Sequence, residues 1–360
     1  MPDILLFGAT GYTGRLTAEA LARRGASFAI AGRDKAKLYA LADDIGGPDV
    51  RVAAVGEDDA LTKHLDDVKV LISTVGPFME LGHTAVEAAL RAKVHYLDST
   101  GEGAFIARLI AEHDTAARDA GVCIAPAMGF DEVPADVCAT LASEGMEGAD
   151  VVLTYAVPQS ASRGTMRTAV GGIITSEGPW IENGRTRAVR AGEVQRWAPM
   201  PPPLGPKLST SFPLAEGHLA PLHLDLRSLK LFVTIGGAQR AALRYGLGVL
   251  DRVVKSGPGS WAVEKVLTTL PEGPDEETRF RSRWTILGEA TSGREWRNVT
   301  LMGTDFYGLT GELLAAGAMN MAEDGYSNAG VCAPVQAIGL DTLQKELIDR
   351  GVTIETYENH

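Results

Sequence analysis

The chain has few cysteines and few aromatic residues for its length. Its 360 residues include three cysteines, and aromatic residues make up 6% of them. Cys123, Cys138 and Cys332 are odd in number and widely separated, which excludes a framework of paired cysteines and the spacing of a zinc site. We therefore expect reduced, structural thiols and a cytoplasmic location.

Basic residues are also in short supply, at 34 against 46 acidic residues, and the formal net charge is −12. This balance argues against nonspecific binding of nucleic acid and against an electrostatic hold on anionic membranes. No apolar run approaches the roughly 20 residues that span a bilayer. The first predicted strand starts at Asp3, so we expect no signal peptide. The sequence has no HExxH, CxxC, GxSxG or P-loop lysine, which leaves metal, hydrolase and kinase interpretations without support.

A glycine-rich turn is the most informative feature that is present. Residues 3–7 predict a short apolar strand, residues 15–24 predict a helix, and the sequence GATGYTG lies between them. Glycines let the backbone turn tightly and approach a phosphate, and the helix start offers free N–H groups. The alternative is a tight turn without a ligand. The residues predicted to hold a dinucleotide here are Gly8, Thr10, Gly11, Tyr12, Thr13 and Gly14.

The end of the second predicted strand, residues 28–31, indicates which dinucleotide binds. NAD enzymes usually place an acid there for the ribose 2′-hydroxyl, whereas NADP enzymes tend to place an arginine near the 2′-phosphate. This chain has Gly32 and then Arg33, with Lys37 one turn later. Asp34 is the competing acid, but an aspartate before a helical run is more often its N-cap. We predict NADP, held in part by Arg33 and Lys37.

Strands and helices alternate up to residue 127, which predicts an α/β fold with a Rossmann-type, doubly wound parallel sheet. The pattern then changes to a mixed α+β arrangement. We predict an NADP-binding domain over 1–127 and a substrate domain over 128–325. By analogy with other Rossmann-like enzymes, the C-terminal segment 326–360 is expected to pack back on the first domain.

The chain resembles the saccharopine dehydrogenase-like oxidoreductases, and within them the branch named trans-acting enoyl reductases. The motifs that carry this resemblance are GATGYTG at 8–14, AGRDKAKL at 31–38, STVGPF at 73–78, HYLDSTGE at 95–102, PAMGFDEVPAD at 126–136 and SRGTMRT at 162–168. The resemblance implies an NADP-dependent oxidoreductase with a Rossmann half and a mixed half. It does not fix the substrate.

Ligands of such sheets bind at the carboxyl ends of the strands, near the point where the strand order reverses. Segments 73–78, 98–102 and 127–131 follow the fourth, fifth and sixth predicted strands. Turn formation without a ligand is the alternative for each of them. From these segments we predict cofactor contacts by Ser73, Thr74, Val75, Gly76, Pro77, Phe78 and Thr100.

Three side chains are candidates for donating a proton during the reaction: Tyr155, Asp131 and Glu102. Each also has a structural interpretation, because a tyrosine at a strand end is often a packing residue and Asp131 precedes a predicted helix. Water is a fourth candidate. His95 starts a strand, at the wrong end of the sheet for chemistry.

Three functions stay open at this point. The first is reduction of an activated C=C bond in an apolar, lipid-like or small-molecule substrate. The second is reduction of an imine or oxidation of a secondary amine, with Arg163, Arg167 and Arg185 able to grip carboxylates. The third is an NADP-binding sensor or scaffold without turnover. We expect no nucleic-acid partner and no integral membrane segment, and the sequence leaves a homodimer open.

Overall fold

Two β-sheets organise the part of the chain that the structure describes. This computed structural model describes residues 1–56, 58–130, 132–157, 177–237 and 272–359, together with the isolated residues 166, 256, 261, 265 and 269. Contacts divide the chain into two compact units. The first comprises Met1–Val133 and Phe306–Glu346, and the second comprises Pro134–Asp305 and Leu347–His360.

The elements follow in chain order. They are β1 (Ile4–Phe7), α1 (Tyr12–Arg23), β2 (Phe28–Gly32), α2 (Lys35–Asp44), β3 (Asp49–Val52), α3 (Asp58–Lys63), β4 (Val70–Ser73), α4 (Phe78–Ala92), β5 (His95–Asp98), α5 (Gly103–Ala120), β6 (Cys123–Ala125), α6 (Val133–Ser143), β7 (Ala149–Ala156), β8 (Glu177–Glu182), β9 (Arg185–Arg190), β10 (Gln195–Ala198), β11 (Lys207–Ser211), α7 (Glu216–Leu219), a 3-10 turn (Ala220–Leu222), β12 (Leu226–Thr234), α8 (Glu276–Arg281), β13 (Trp284–Ser292), β14 (Glu295–Gly303), α9 (Phe306–Met321), β15 (Gly330–Val331), α10 (Pro334–Ile338), α11 (Leu340–Asp349) and β16 (Thr353–Asn359).

The sheet of the first unit is parallel throughout, in the order β15-β6-β5-β4-β1-β2-β3. Strands β1, β2 and β4 bury every residue, as expected for strands covered on both faces. The strand order reverses between β1 and β4, which opens a crevice at their carboxyl ends. The predicted α/β fold with a Rossmann sheet is confirmed.

Helix α9 packs against α1 in the first unit. An added Cβ at Gly311 would lie 2.9 Å from the backbone carbon of Leu16, so only glycine allows this approach of the two helices. Glu312 of α9 accepts hydrogen bonds from Arg23 at 2.8 Å and from Arg24 at 3.0 Å. Arg24 also pairs with Glu346 of α11. These ion pairs attach α9 and the beginning of the C-terminal segment to α1.

The second unit contains a mixed sheet in the order β10-β11-β12-β7-β13-β14-β16, and the β8–β9 hairpin pairs with β12. Strands β7 and β12 run parallel, while β7–β13, β13–β14 and β14–β16 are antiparallel. Trp180 and Phe232 pack together in its core, with ring centroids 5.1 Å apart. This mixed sheet with helices agrees with the predicted α+β character of the second part of the chain.

The domain bounds differ from those predicted. Helix α9 belongs to the first unit. It is buried around most of its circumference, and it packs on α1. Residues 347–360 belong to the second unit because β16 extends the sheet beside β14, from Met302↔Thr353 to Trp296↔Asn359. The C-terminal segment is therefore divided between the two units.

Several element bounds also differ. Helix α1 begins at Tyr12, earlier than the predicted start at 15, and α4 begins at Phe78. Gly82 of α4 is a packing position, where an added Cβ would lie 2.6 Å from the Phe105 ring. Residue 280 lies in α8, which Asp275 caps by accepting the N–H of Thr278 at 2.8 Å. We also predict a loop and helix over 159–178 and helices over 239–255 and 258–270. These segments lie outside the described residues, apart from 177 and 178, which are in β8, and the isolated positions.

Candidate functional site

The loop between β1 and α1 divides its three glycines into two kinds. Gly8 has a φ of +89°, and an added Cβ would lie 2.7 Å from Val75. At Gly14 an added Cβ would lie 2.2 Å from the carbonyl oxygen of Gly8. Gly11 is exposed, and an added Cβ would meet the Gly8 oxygen at 3.4 Å and no closer described atom. Protein packing therefore requires Gly8 and Gly14, whereas the surface over Gly11 is open to a ligand.

Helix α1 starts from this loop without a side-chain cap. Gly11 occupies the N-cap position with extended backbone, and the helix begins at Tyr12. The ring of Tyr12 packs edge-on against Tyr307, with centroids 5.2 Å apart. Thr10 and Thr13 are half-buried at either side of the turn. The N-cap glycine contributes no side-chain acceptor to the first-turn N–H groups, and a helix start of this kind suits a pyrophosphate.

The end of β2 supports NADP over NAD. Asp34 accepts the backbone N–H of Lys37 at 3.1 Å and caps α2, as its position before a helical run had suggested. Asp34 is the acid that could instead bind the ribose 2′-hydroxyl of NAD, and this contact already occupies one of its carboxylate oxygens. Arg33 and Lys37 are both exposed beside it. Two cations beside a capped acid suit a 2′-phosphate better than a hydroxyl.

The segment after β4 lies against the glycine loop. The Thr74 hydroxyl lies 3.2 Å from the carbonyl oxygens of both Phe7 and Gly8 and donates to this pair. Val75 packs over Gly8, and Gly76 is exposed. The other predicted cofactor residues of this segment differ in exposure: Ser73 is buried, Pro77 is half-buried, and Phe78 is 7% exposed with its ring against Phe105. The segment thus places Thr74 to Pro77 at the carboxyl edge and Phe78 in the core.

Asp98 organises the loops that follow β5 and β6. Its side chain is fully buried at the end of β5. One carboxylate oxygen accepts the backbone N–H groups of Thr100 and Ala127, each at 2.9 Å, and the other accepts the hydroxyl of Tyr96 at 2.8 Å. Ala127 has a φ of +61°, which an alanine rarely adopts, and the carboxylate holds it there. Both loops therefore take their shape from a single side chain.

Burial raises the pKa of Asp98 to about 6, although its three hydrogen bonds act in the opposite direction. The loss of solvation outweighs those bonds, and the nearby Glu102 carboxylate adds to the rise. Thr100 and Glu102 were predicted as site residues from the sequence, whereas Asp98 was not. A perturbed carboxylate at the carboxyl edge of such a sheet is typical of functional sites, and its position at the end of a buried strand is the sequence signal that could have found it.

Glu102 continues this hydrogen-bonded chain to a third loop. Its backbone N–H donates to the Thr100 hydroxyl at 3.0 Å. Its carboxylate accepts the backbone N–H groups of Phe78 at 2.8 Å and Met79 at 2.9 Å, which are the first two residues of α4. Glu102 thus caps α4 from a distance in sequence. The loops after β4, β5 and β6 form one connected frame.

The other two predicted proton donors are Tyr155 and Asp131. Tyr155 lies on β7 in the second sheet, 3% exposed and opposite Val233 and Ile286 on the neighbouring strands. Asp131 lies outside the described residues.

A buried histidine–aspartate pair was missed by the sequence analysis. His223 Nε2 and a carboxylate oxygen of Asp136 lie 2.6 Å apart in the second unit, with side chains 9% and 3% exposed. Asp136 is in the first turn of α6, and His223 follows the 3-10 turn. Their separation of 87 positions along the chain gives no sequence signal for this pairing.

No helix within the described ranges is long and apolar enough to cross a membrane. Within the same ranges, no group of three or more His, Cys, Asp or Glu side chains could hold a metal ion.

The parallel sheet with its glycine loop and open helix start defines a dinucleotide-binding Rossmann domain. Residues 4–125 match the family model of the saccharopine dehydrogenase NADP-binding domain. Residues 4–125 are thus similar to this NADP-binding domain, which confirms the resemblance seen in the motifs and supports NADP as the cofactor.

Two relatives and one solved structure extend the comparison. A protein of Mycobacterium ulcerans named trans-acting enoyl reductase is 37% identical over 142 residues, which cover 38% of this chain and 34% of the relative. A lipid droplet localized protein of Caenorhabditis elegans is 31% identical over 158 residues, covering 41% and 37%. The matches thus span little more than a third of these relatives. Apo saccharopine dehydrogenase (L-Glu forming) from Saccharomyces cerevisiae shares the fold, with a TM-score of 0.66 at 14% identity over 100% of both chains.

Proposed function

We propose that this chain is an NADP(H)-dependent oxidoreductase that reduces an activated C=C bond, such as that of an enone or an enoyl thioester, in an apolar substrate. The observation that carries the proposal is the 37% identity over 142 residues to a relative named trans-acting enoyl reductase, beside the match of residues 4–125 to an NADP-binding family model. The frame of three loops at the carboxyl edge supports it, since this is where Rossmann domains bind ligands.

The chain's own residues hold and orient the cofactor. The N–H groups at the start of α1 suit the pyrophosphate, and Arg33 with Lys37 suits the 2′-phosphate. Thr74 to Pro77 and Thr100 lie on loops at the carboxyl ends of β4 and β5, on the opposite side of β1 from Arg33. We assign these loops to the nicotinamide half. The bound cofactor would supply the hydride.

Reduction of the C=C bond also requires a proton. Hydride addition at Cβ leaves an enolate, and a proton at Cα completes the reduction. We favour Tyr155 or water as the donor and retain Asp131 as a candidate. Glu102 is a weaker candidate for this role, because both of its carboxylate oxygens accept N–H groups of α4.

The substrate is proposed to be a small or lipid-like molecule in the cytoplasm. The excess of 46 acidic over 34 basic residues favours an uncharged, apolar acceptor over a polyanionic one. The C. elegans relative named for lipid droplets supports a lipid-like substrate. A homodimer remains part of the proposal, and size-exclusion chromatography with light scattering tests it.

Purified protein tests the reaction directly. NADPH absorbance is followed with enones, enoyl thioesters, and α-keto acids plus amines, and the Gly11→Val variant serves as the control for background oxidation. We expect turnover with the C=C acceptors and none comparable with the imine-forming mixtures. The opposite ranking would assign imine chemistry instead. NADPH binding without turnover on any acceptor would support a sensor or scaffold.

A further inference from the structure

The strongest feature outside the proposed chemistry is the buried carboxylate of Asp98. It contacts three donors, and two of them are backbone groups of different loops, at Thr100 and Ala127. The Asp98 backbone also takes part, because its carbonyl accepts the N–H of Met128 at 2.7 Å. One residue therefore fixes the path of the chain after β5 and after β6.

The loop after β6 is held from its other side as well. The Phe130 N–H donates to the Thr310 hydroxyl of α9 at 3.0 Å, and an added Cβ at Gly129 would lie 3.0 Å from Thr310. Met128 is fully buried against Gly317 of the same helix. The loop after β6 is thus bonded to Asp98 at one end and to α9 at the other. Because one of its two attachments is the Asp98 carboxylate, its shape depends on whether that group is ionised.

We propose that Asp98 is a positioning residue for the nicotinamide half of the cofactor site, and that its ionised carboxylate holds the loops after β5 and β6 in the form that binds NADP(H). This inference rests on the cofactor site of the proposed function and does not depend on the acceptor. Asp98 acts through Thr100 and Ala127, without a direct contact to the reacting atoms being required.

The protonated form of Asp98 has a different hydrogen-bonding pattern. A proton on the oxygen that faces Tyr96 would reverse that bond, so that Tyr96 accepts and donates in turn toward Ser73. The oxygen facing Thr100 and Ala127 would then accept as part of a neutral group, and such bonds are weaker than those to a carboxylate. The titratable groups on the elements around it include Tyr96 on its own strand and Glu102 at the start of α5.

Asp98→Asn mimics this protonated state. The amide oxygen keeps the two backbone N–H groups, and the amide nitrogen donates to Tyr96 as the protonated acid would. Asp98→Ala removes all three bonds. Asp119→Asn, at an exposed position near the end of α5, is the matched control for a change of one charge.

NADPH affinity is measured by fluorescence between about pH 5 and about pH 8, on either side of the Asp98 pKa. The phosphate of the cofactor titrates in the same range, so the informative quantity is the ratio of variant to wild-type Kd at each pH. We expect Asp98→Asn to bind about fivefold more weakly at the upper pH, and the ratio to approach one at the lower pH. Asp119→Asn should keep a ratio near one throughout.

A ratio for Asp98→Asn that does not change with pH would overturn the proposal, as would affinity equal to wild type at every pH. Asp98→Ala is expected to weaken binding further, and circular dichroism establishes that each variant is folded. The readout is binding alone. If the protein did not reduce C=C bonds, the Kd ratios expected for Asp98→Asn would still be observed. Failure of the proposed reaction and failure of this inference are therefore distinguishable.

Discussion

An added Cβ at Gly14 would stand 2.2 Å from the carbonyl oxygen of Gly8, so the first turn of α1 rests on the end of β1 with no room for a side chain. Gly11, between them, has φ −75° and ψ 167°, a conformation open to any residue. The same motif thus contains a glycine needed for packing and a glycine proposed to make room for the ligand, and substitution can separate the two roles.

We expect Gly11→Val to abolish NADPH binding while leaving the fold intact, because the side chain would occupy the open surface over the helix start. Gly14→Ala should instead destabilise the protein by about 3 kcal/mol, since the methyl group overlaps backbone that cannot move aside. Fluorescence titration and chemical denaturation measure the two effects. Normal NADPH binding by Gly11→Val would show that the phosphate site lies elsewhere.

The second prediction concerns the choice between the two dinucleotides. Arg33→Ala should reduce the preference for NADPH over NADH by about 1–3 kcal/mol, the cost of losing a charge-assisted hydrogen bond. Lys35→Ala is the matched control, because Lys35 is exposed two positions away with its ammonium over the Tyr39 ring. Both cofactors are titrated against each variant. Equal affinities for NADPH and NADH in the wild type would contradict the assignment of Arg33.

The Rossmann part of the fold could be predicted because each of its signals is local. Buried parallel strands such as β4 are continuous runs of apolar residues, and the glycine loop marks the βα turn by composition alone. The N-cap role of Asp34 could likewise be inferred from its place before a helix.

Features that depend on distant contacts could not be inferred in this way. β16 alternates weakly and exposes most of its residues, so its pairing with β14 has no clear periodic signal. Glu102 caps a helix that begins 24 positions earlier, and only the folded sheet brings the two loops together. Asp98 could have been located by position, but its burial and its three donors are consequences of packing.

Glu102 provides a test between capping and catalysis. Glu102→Ala should destabilise the protein by about 1–2 kcal/mol, because the first N–H groups of α4 lose their acceptors. Glu102→Gln keeps one oxygen acceptor and should lose less. If Glu102 only caps, the glutamine variant retains turnover with the C=C acceptor at saturating NADPH. A large fall in kcat with unchanged stability would assign it the proton instead.

The three thiols are expected to be unreactive in the native protein. Cys123, Cys138 and Cys332 are buried, and burial raises the pKa of Cys138 to about 12. The Cys123–Cys332 contact raises the pKa of the first thiol and lowers that of the second, so Cys332 should react first. A chromogenic disulfide reagent should count all three thiols only after denaturation. Rapid labelling of Cys138 in the folded protein would contradict the buried arrangement.

The final prediction concerns how Asp98 links stability to pH. Its pKa is about 6 in the folded protein against a usual value of 3.8, so folding favours the protonated acid. This contribution is fully present below about pH 4 and is lost as pH rises through about 6, which amounts to about 3 kcal/mol. Asp98→Asn has no such charge to bury. Relative to wild type, we expect the variant to gain stability as pH rises from about 4 to about 8.

Urea denaturation at a series of pH values measures this relative gain, with Asp119→Asn as the control that should show none. We expect Asp98→Asn to gain stability relative to wild type as the pH rises to neutral. The same variant should bind NADPH less well than wild type there. Such a result would show that the carboxylate serves the cofactor site at a cost to the fold. A variant less stable than wild type by the same amount at every pH would instead show that the carboxylate is needed for folding itself.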